Sequence, residues 1–427
     1  MSNQVPADWI VSSLADISKF RRGSFPQPYG NPEWFDDNGF PFVQVFDLGF
    51  GNLLKASTKV RISDLAAKKS VFVPKGTVLV SIQGSIGRVV VTQYDAYVDR
   101  TILIFEEIAS HIDRDFFALM VREIFSVKKN EADGGVILTI TKETLKNFLM
   151  VLPPLPEQQK IAAILTSVDE VIEKTQAQID KLKDLKSGMM QELLTKGVGI
   201  KQGEKYMPHT EFKDSPVGRI PKSWEVVKLG DTGKWRGGGT PSKTNKEFWS
   251  GSIPWVSPKD MKLDLISRTQ DHVSAKAIKE SSTNLIPKGS LLMVVRSGIL
   301  QHTLPVAIAG CDLTVNQDIK ALTVSERYDT RFIFHYLKAH NHKVLRATLK
   351  AGNTVESIDF NEFSKFVIPS PPFEEQVKIA DLVDSVANKI SSKVSKLNQT
   401  SNLKKALMQD LLTGKVRVKV DNHLVVV

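Results

Sequence analysis

Pro153-Pro154-Leu155-Pro156-Glu157-Gln158-Gln159-Lys160-Ile161-Ala162 opens a stretch that the chain uses twice, the second time as Pro371-Pro372-Phe373-Glu374-Glu375-Gln376-Val377-Lys378-Ile379-Ala380. Shifted by 218, Pro153 to Val198 falls on Pro371 to Val416 without a gap, and 18 of the 46 positions are identical. Chance gives about one in twenty, so this is an internal duplication. The far ends agree as well, Met190-Gln191 and Leu193-Leu194-Thr195 falling on Met408-Gln409 and Leu411-Leu412-Thr413. Upstream the register drifts as loop insertions would make it. Trp9 and Leu14 meet Trp224 and Leu229, Pro74-Lys75-Gly76 meets Pro287-Lys288-Gly289, and Gly134, Ile140 and Phe148 meet Gly352, Ile358 and Phe366.

The well-matched stretch predicts a long helix. Ile161, Leu165, Val168, Ile172, Thr175, Ile179, Leu182, Lys186, Met189 and Leu193 step strictly by four and three, and Ile379, Val383, Val386, Ile390, Lys393, Leu397, Thr400, Lys404, Leu407 and Leu411 do the same. That is a heptad seam. Pro154 and Pro372 stand at the start, Gly197, Gly199 and Gly414 at the end, and Glu157 and Glu375 suit the N-terminal dipole. About 38 residues give a rod of about 57 Å, which cannot bury its seam alone. Its own copy is the expected partner, in an antiparallel coiled coil.

The regions between the rods read as mixed α/β. Phe42–Asp47, Thr77–Ile82, Arg88–Thr92 and Ile102–Phe105 are strand-like, and His111 to Val127 is helix-like. In the second half Leu291–Val295, Val306–Ala309 and Ile319–Val324 are strands and Tyr328–Arg346 the matching helix. The expected division is a first globular region over 1–152, a first rod over 153–196, a polar linker over 197–221, a second globular region over 222–370, a second rod over 371–415 and a tail over 416–427.

Composition narrows the function. The 427 residues carry a net charge of +10 with a single cysteine, Cys311, which excludes a disulfide framework or a multi-thiolate metal site. Residues 1–152 are neutral, with 17 basic and 17 acidic groups, while 197–374 hold 25 against 18. A polyanion would therefore meet a local patch on the first half. The start lacks a basic flank and an apolar core, and no apolar run reaches the roughly 18 residues of a membrane helix. A soluble, cytoplasmic protein without a membrane partner is expected.

Enzymatic signatures fail one after another. No G-x-x-x-x-G-K-[ST] loop occurs. Glu211-Phe212-Lys213 echoes a nuclease E-x-K element but stands in the linker with no strand predicted around it, and His340 with His342 marks a solvated helix end rather than a metal pair. Ser370-Pro371-Pro372-Phe373 and Asp47-Leu48-Gly49-Phe50-Gly51 echo an adenine-N6 methyltransferase, yet they stand in different halves and both proline pairs simply open the rods.

What remains is binding. Lys19-Phe20-Arg21-Arg22-Gly23-Ser24 and Lys234-Trp235-Arg236-Gly237-Gly238-Gly239-Thr240-Pro241-Ser242-Lys243 each combine cations, an aromatic and small residues, which suits close approach to phosphates with arginines left for guanine edges. Gln83-Gly84-Ser85-Ile86-Gly87-Arg88 and Arg296-Ser297-Gly298-Ile299-Leu300-Gln301 each follow a strand and carry bidentate-capable side chains. The DNA-contact candidates are Arg21, Arg22, Gln83, Ser85, Arg88, Lys234, Arg236, Thr240, Lys243, Arg296 and Gln301. Each alone is as readily a solvated turn residue; it is their recurrence that favours a role. For helix pairing and partner docking the candidates are Pro154, Glu157, Gln158, Ile161, Leu165, Val168, Ile172, Ile179, Leu182, Pro372, Glu375, Gln376, Ile379, Val383, Val386, Ile390 and Leu397.

Taken together the chain resembles the DNA-specificity subunit of Type I restriction–modification enzymes. The likeness is carried by Ile220-Pro221-Lys222-Ser223-Trp224, Val227-Lys228-Leu229-Gly230, Gly238-Gly239-Thr240-Pro241-Ser242, Ile253-Pro254-Trp255-Val256, Pro258-Lys259-Asp260-Met261, both Pro-Pro-x-x-Glu-Gln-x-Lys-Ile-Ala segments and both Leu-Leu-Thr ends. The first half departs, with Arg22-Gly23-Ser24-Phe25-Pro26 in place of the Gly-Thr-Pro-Ser form. The resemblance implies two target-recognition domains joined by two antiparallel helices, each domain reading one half of a split, asymmetric site in double-stranded DNA. The helices would measure the spacer, capped near about 17 base pairs by their length, and dock two methyltransferase subunits. S-adenosylmethionine would sit on those partners, and ATP and Mg on restriction subunits where present; this chain would carry no cofactor and no active site. The readings to be set against it are a self-contained adenine-N6 methyltransferase and a coiled-coil scaffold that never touches DNA.

Overall fold

The computed structural model describes residues 5–49, 51–131, 145–350 and 355–420. Of the positions used above, Phe50, Gly134, Ile140 and Gly352 lie outside them. The chain forms two compact units, one of Met1–Gln178 with Lys393–Val427 and one of Ile179–Ser392.

In the first unit a four-stranded antiparallel sheet runs Ser18–Arg22, Ile102–Ile108, Val78–Ser81, Val89–Val91. A second sheet runs Val60–Ile62, Phe35–Val43, Ala96–Val98, Val71–Val73, with one parallel pair where Phe42 faces Tyr97. Side chains alternate across a strand. Val78, Val80, Val89, Val91, Leu103 and Phe105 therefore face one core with Phe116, Phe117, Leu119 and Met120 of the helix Arg114–Glu131. Leu79, Val90, Ile102 and Ile104 face the opposite core with Val43, Val73, Ala96 and Val98 of the second sheet. Burial on both faces explains the unbroken apolar runs, each such side chain contributing about 1.5–3 kcal/mol. The helix begins where Asp113 accepts from the backbone N–H groups of Asp115 and Phe116.

The second unit repeats this order strand for strand. Gly233–Gly237, Ile319–Val324, Leu291–Val294 and Val306–Ala309 form the first sheet, extended at its edge by Leu265–Ile266; Asp271–Val273, Ile253–Val256, Leu313–Val315 and Leu285–Ile286 form the second. Leu291 and Met293 face Phe332, Ile333 and Leu337, while Leu292 and Val294 face Val256, Leu313 and Val315.

Four expectations are corrected. The strand expected over Phe42–Asp47 ends at Val43, and Val45–Asp47 is a 3-10 turn held by Asp47, whose carboxylate accepts from the N–H of Gln44 and of Lys59. The helix expected over Tyr328–Arg346 is two, Thr330–Ala339 and Asn341–Thr348, broken at His340. The break follows from tertiary demand, because the Asn341 amide bonds both the N–H and the carbonyl of Leu304, and His340 stacks on Tyr336, half-buried rather than solvated. The linker folds into two small antiparallel pairs, Ile200–Gln202 with Lys205–Met207 and Phe212–Lys213 with Ile220–Pro221. The Glu211-Phe212-Lys213 segment is thus half strand, and Glu211 is paired with Lys222 at 3.0 Å.

The long helices are Leu155–Lys196 and Phe373–Leu411, 42 and 39 residues, or about 63 and 59 Å. Within the first unit the two helical segments run antiparallel, Glu157 meeting Arg417 and Asp169 meeting Lys404. Ile161, Ala162 and Leu165 share a core with Met408, Leu411 and Leu412.

Candidate nucleic-acid interface

Each recognition fold is fastened to its helices by the duplicated Glu-Gln pair. Glu375 is buried; its Oε1 accepts from the N–H of Val198 at 3.0 Å, the N–H of Gly199 at 3.1 Å and the His209 ring at 3.0 Å, and its Oε2 from the Trp224 indole at 2.8 Å. Glu157 accepts from the Trp9 indole at 3.3 Å and from Arg417 at 2.8 and 2.7 Å. Gln158 and Gln376 sit beside them. Gln158 bonds the N–H of Asp113 and the carbonyls of His111 and Pro153, and Gln376 bonds the N–H of Asp329 and the carbonyls of Arg327 and Pro371. A charge this buried must be fully hydrogen-bonded. The described hydrogen bonds of these four side chains are all made within the chain. Gly197, at φ +73, is where the chain leaves the first helix, and a Cβ there would fall 2.2 Å from Glu375 Oε1.

The remaining helix candidates divide by burial. Ile161, Leu165, Ile179, Ile379 and Val383 are buried, Val168, Ile172, Leu182, Val386, Ile390 and Leu397 are partly covered, and Pro154 and Pro372 are exposed. Both prolines give their carbonyls to the first helical N–H groups. A cluster the sequence reading missed braces the first unit. Asp169 receives Lys404 and lies 3.9 Å from Arg122, whose guanidinium also donates to the carbonyls of Gly51 and Val89. Burial pushes both Arg122 and Lys404 below their ordinary pKa ranges, with Asp169 opposing it. The signal was faint: Lys404 is one of two lysines, with Lys393, on a mostly apolar seam.

Around the first loops, Arg21 and Arg22 are exposed at the end of Ser18–Arg22, Arg21 lying 3.7 Å from Glu106. Lys234 and Arg236 are exposed on Gly233–Gly237, and Lys243 is exposed beyond it. The glycines were expected to admit a phosphate backbone. They also serve the fold, since a Cβ at Gly238 would lie 1.8 Å from the Val315 carbonyl oxygen and one at Gly23 2.3 Å from that of Val98. Thr240 is held by its hydroxyl, which donates to Gln317 Oε1 at 2.5 Å.

Around the second loops, Gly84 and Gly87 take positive φ and turn the chain between Gln83, half-buried, and the exposed Ser85 and Arg88. The Arg88 guanidinium donates to the Leu48 carbonyl at 3.4 Å. Arg296 Nε donates to Asp318 at 2.6 Å, and the Gln301 amide to Glu356 at 2.7 Å. Arg296, Ser297, Gly298 and Asp318 line a cleft of about 720 Å³ closed by Pro258, Val355 and Ser357. The arrangement is a hydrogen-bond-rich edge that carries exposed cations. The methyltransferase echoes are absorbed by structure, Asp47 capping its turn and Ser370 pairing with Glu225 where strand passes into helix.

Comparison with known proteins agrees with this layout. The profile of the Type I restriction modification DNA specificity domain matches residues 6–184 and again 221–400. The EcoR124I/EcoR124II specificity subunit of Escherichia coli is 42% identical over 174 residues, 40% of this chain and 41% of that one, so the chain spans less than half of that relative's length. The MjaVIII specificity subunit of Methanocaldococcus jannaschii is 28% identical over 97% of this chain and 95% of its own. Among solved structures, the S subunit of the M. genitalium Type I system superimposes with a TM-score of 0.60 at 14% identity, covering 96% of this chain and 97% of that one. With both halves of its frame matched by one profile, the chain belongs to the Type I restriction modification DNA specificity family and is a specificity subunit.

Proposed function

We propose that this subunit reads a split, asymmetric site in double-stranded DNA, each recognition domain taking one half. The observation that carries the reading is that one two-sheet frame occurs twice, each time presenting exposed cations and bidentate-capable side chains on the same two loops. The long helices set the unread spacer and dock two methyltransferase subunits, to which restriction subunits are added where a system has them. The chain is non-catalytic; S-adenosylmethionine belongs to the methyltransferase partners, ATP and Mg to the restriction subunits. It works in the cytoplasm, where its DNA is.

The test is co-expression with the companion methyltransferase and mapping of modified adenines. Replacing residues 1–152 with those of a relative should alter one half of the modified sequence and leave the other; alteration of both would refute modular reading. Affinity of the assembled complex should fall steeply with salt, by about 0.9 log units per neutralised phosphate per log unit of salt. Arg236→Ala and Arg296→Ala should each lose about 1–3 kcal/mol of base discrimination in the second half-site.

A further inference from the structure

In each domain a three-residue turn lies between the two candidate loops, and sequence reading passed over it. In the first domain it is Asp99-Arg100-Thr101, joining Ala96–Val98 to Ile102–Ile108; in the second it is Asn316-Gln317-Asp318, joining Leu313–Val315 to Ile319–Val324. Both turns are built alike. The first side chain accepts from the third residue's N–H, at 2.9 Å from Thr101 to Asp99 and 3.0 Å from Asp318 to Asn316, leaving the middle residue exposed.

One loop packs on each turn from either side. Gly23 and Gly238 approach the carbonyls of Val98 and Val315 so closely that no Cβ fits. From the other side Ile82 N–H donates to the Thr101 carbonyl at 3.0 Å, and Arg296 Nε donates to the Asp318 carboxylate at 2.6 Å. The turn is therefore the common floor of both loops. Its rigidity is local: Asp99 is buried and receives the Tyr29 hydroxyl at 3.1 Å. Arg100 stands with its guanidinium 5.9 Å from the Tyr29 ring centroid, and Gln317 takes the Thr240 hydroxyl on Oε1. A carbonyl oxygen has two lone pairs, so that amide keeps one acceptor site and two donors.

We infer that Arg100 and Gln317 are base-reading residues, one for each half-site, set between the loops on a preformed turn. Arg suits guanine O6 and N7, Gln adenine N6 and N7, and a change from Arg to Gln between the copies is what two readers of different sequences require. The inference rests on the DNA-reading function proposed above and deepens it.

The test uses the full complex with its methyltransferase, carrying Arg100→Ala, Arg100→Lys or Gln317→Ala. Both positions are exposed, and unchanged melting checks folding. Arg100→Ala is expected to cut discrimination about tenfold at one base of one half-site, with Gln317→Ala acting only on the other half. Arg100→Lys, which keeps charge but loses the fork, should fail to restore it. A unique modified sequence identical to that of the native complex would overturn the inference. So would a uniform loss of affinity over all sequences with a shallower salt slope, which marks a phosphate contact. A native complex that binds and modifies nothing would bring down the underlying function as well, whereas an active native complex indifferent to these substitutions overturns the inference alone.

Discussion

The two units share a frame and differ in what they inlay into it. Strand order, the Trp–Glu lock and the Gln brace recur almost atom for atom. The charged brace between the domain helix (Arg114–Glu131 or Thr330–Ala339) and the long helix is built from different residues in each. The first unit buries Arg122, Asp169 and Lys404 together. At the repeat position of Asp169 the second unit has Ala387, and it sets its charges elsewhere, with Arg331 reaching Asp329, Asp381 and Asp384, and His335 meeting Asp384 at 2.8 Å. Packing of apolar layers tolerates divergence at the rim, so each copy found its own electrostatic solution over an inherited core.

The difference can be broken most sharply at Asp169. Asp169→Ala strands two buried cations and should destabilise the first unit by about 3–5 kcal/mol, read as its transition moving to lower temperature in thermal unfolding; the second unit has no equivalent residue to remove. Next come the locks, where Glu375→Gln turns an N–H donor toward the donors that the carboxylate accepts from, and should cost about 2–3 kcal/mol. Glu157→Gln should cost less, about 1–2 kcal/mol, because its partner Arg417 is partly solvated. Denaturant melts of both variants would rank them, and equal losses would show that exposure of the partner is irrelevant.

A smaller effect is set by pH. Burial pushes Asp384 up, but His335 and Arg331 outweigh it and hold the carboxyl below its ordinary 3.8. A lowered carboxyl stabilises fully above its unfolded value and loses that contribution as pH falls through the folded one, so Asp384→Asn should flatten the stability profile of the second unit below about pH 4. Screening limits the effect to about 1 kcal/mol. The smallest change is expected at Glu173, whose carboxyl burial raises, with Asp169 adding to it. Glu173→Gln should be neutral or stabilising by a few tenths of a kcal/mol at pH 7.

How much of this could be read beforehand depends on how local the cause is. The heptad steps from Ile161 and Ile379 announced both helices, and the apolar runs at Thr77–Ile82 and Leu291–Val295 announced buried strands. The break at His340 was illegible, because it is imposed by Asn341 bonding Leu304, far away in sequence. The glycines of the first loops were visible as a pattern, yet their reason, contact with the carbonyls of Val98 and Val315, belongs to a strand pairing about 75 residues away. Arg100 and Gln317 escaped notice for the same cause: a turn of three ordinary residues gains meaning only from the loops that fold against it.

By itself the sequence determined that this is a duplicated chain and that each copy ends in a long amphipathic helix. Those properties follow from periodicity and repetition, which are written along the backbone. Tertiary structure alone decided that Glu157 and Glu375 close on the chain leaving the other helix, that Asp169 gathers two cations, and which side chains share the basic edge. Such contacts join residues up to 261 positions apart, and no local preference of the chain encodes the partner of a charge that only the folded core brings within reach.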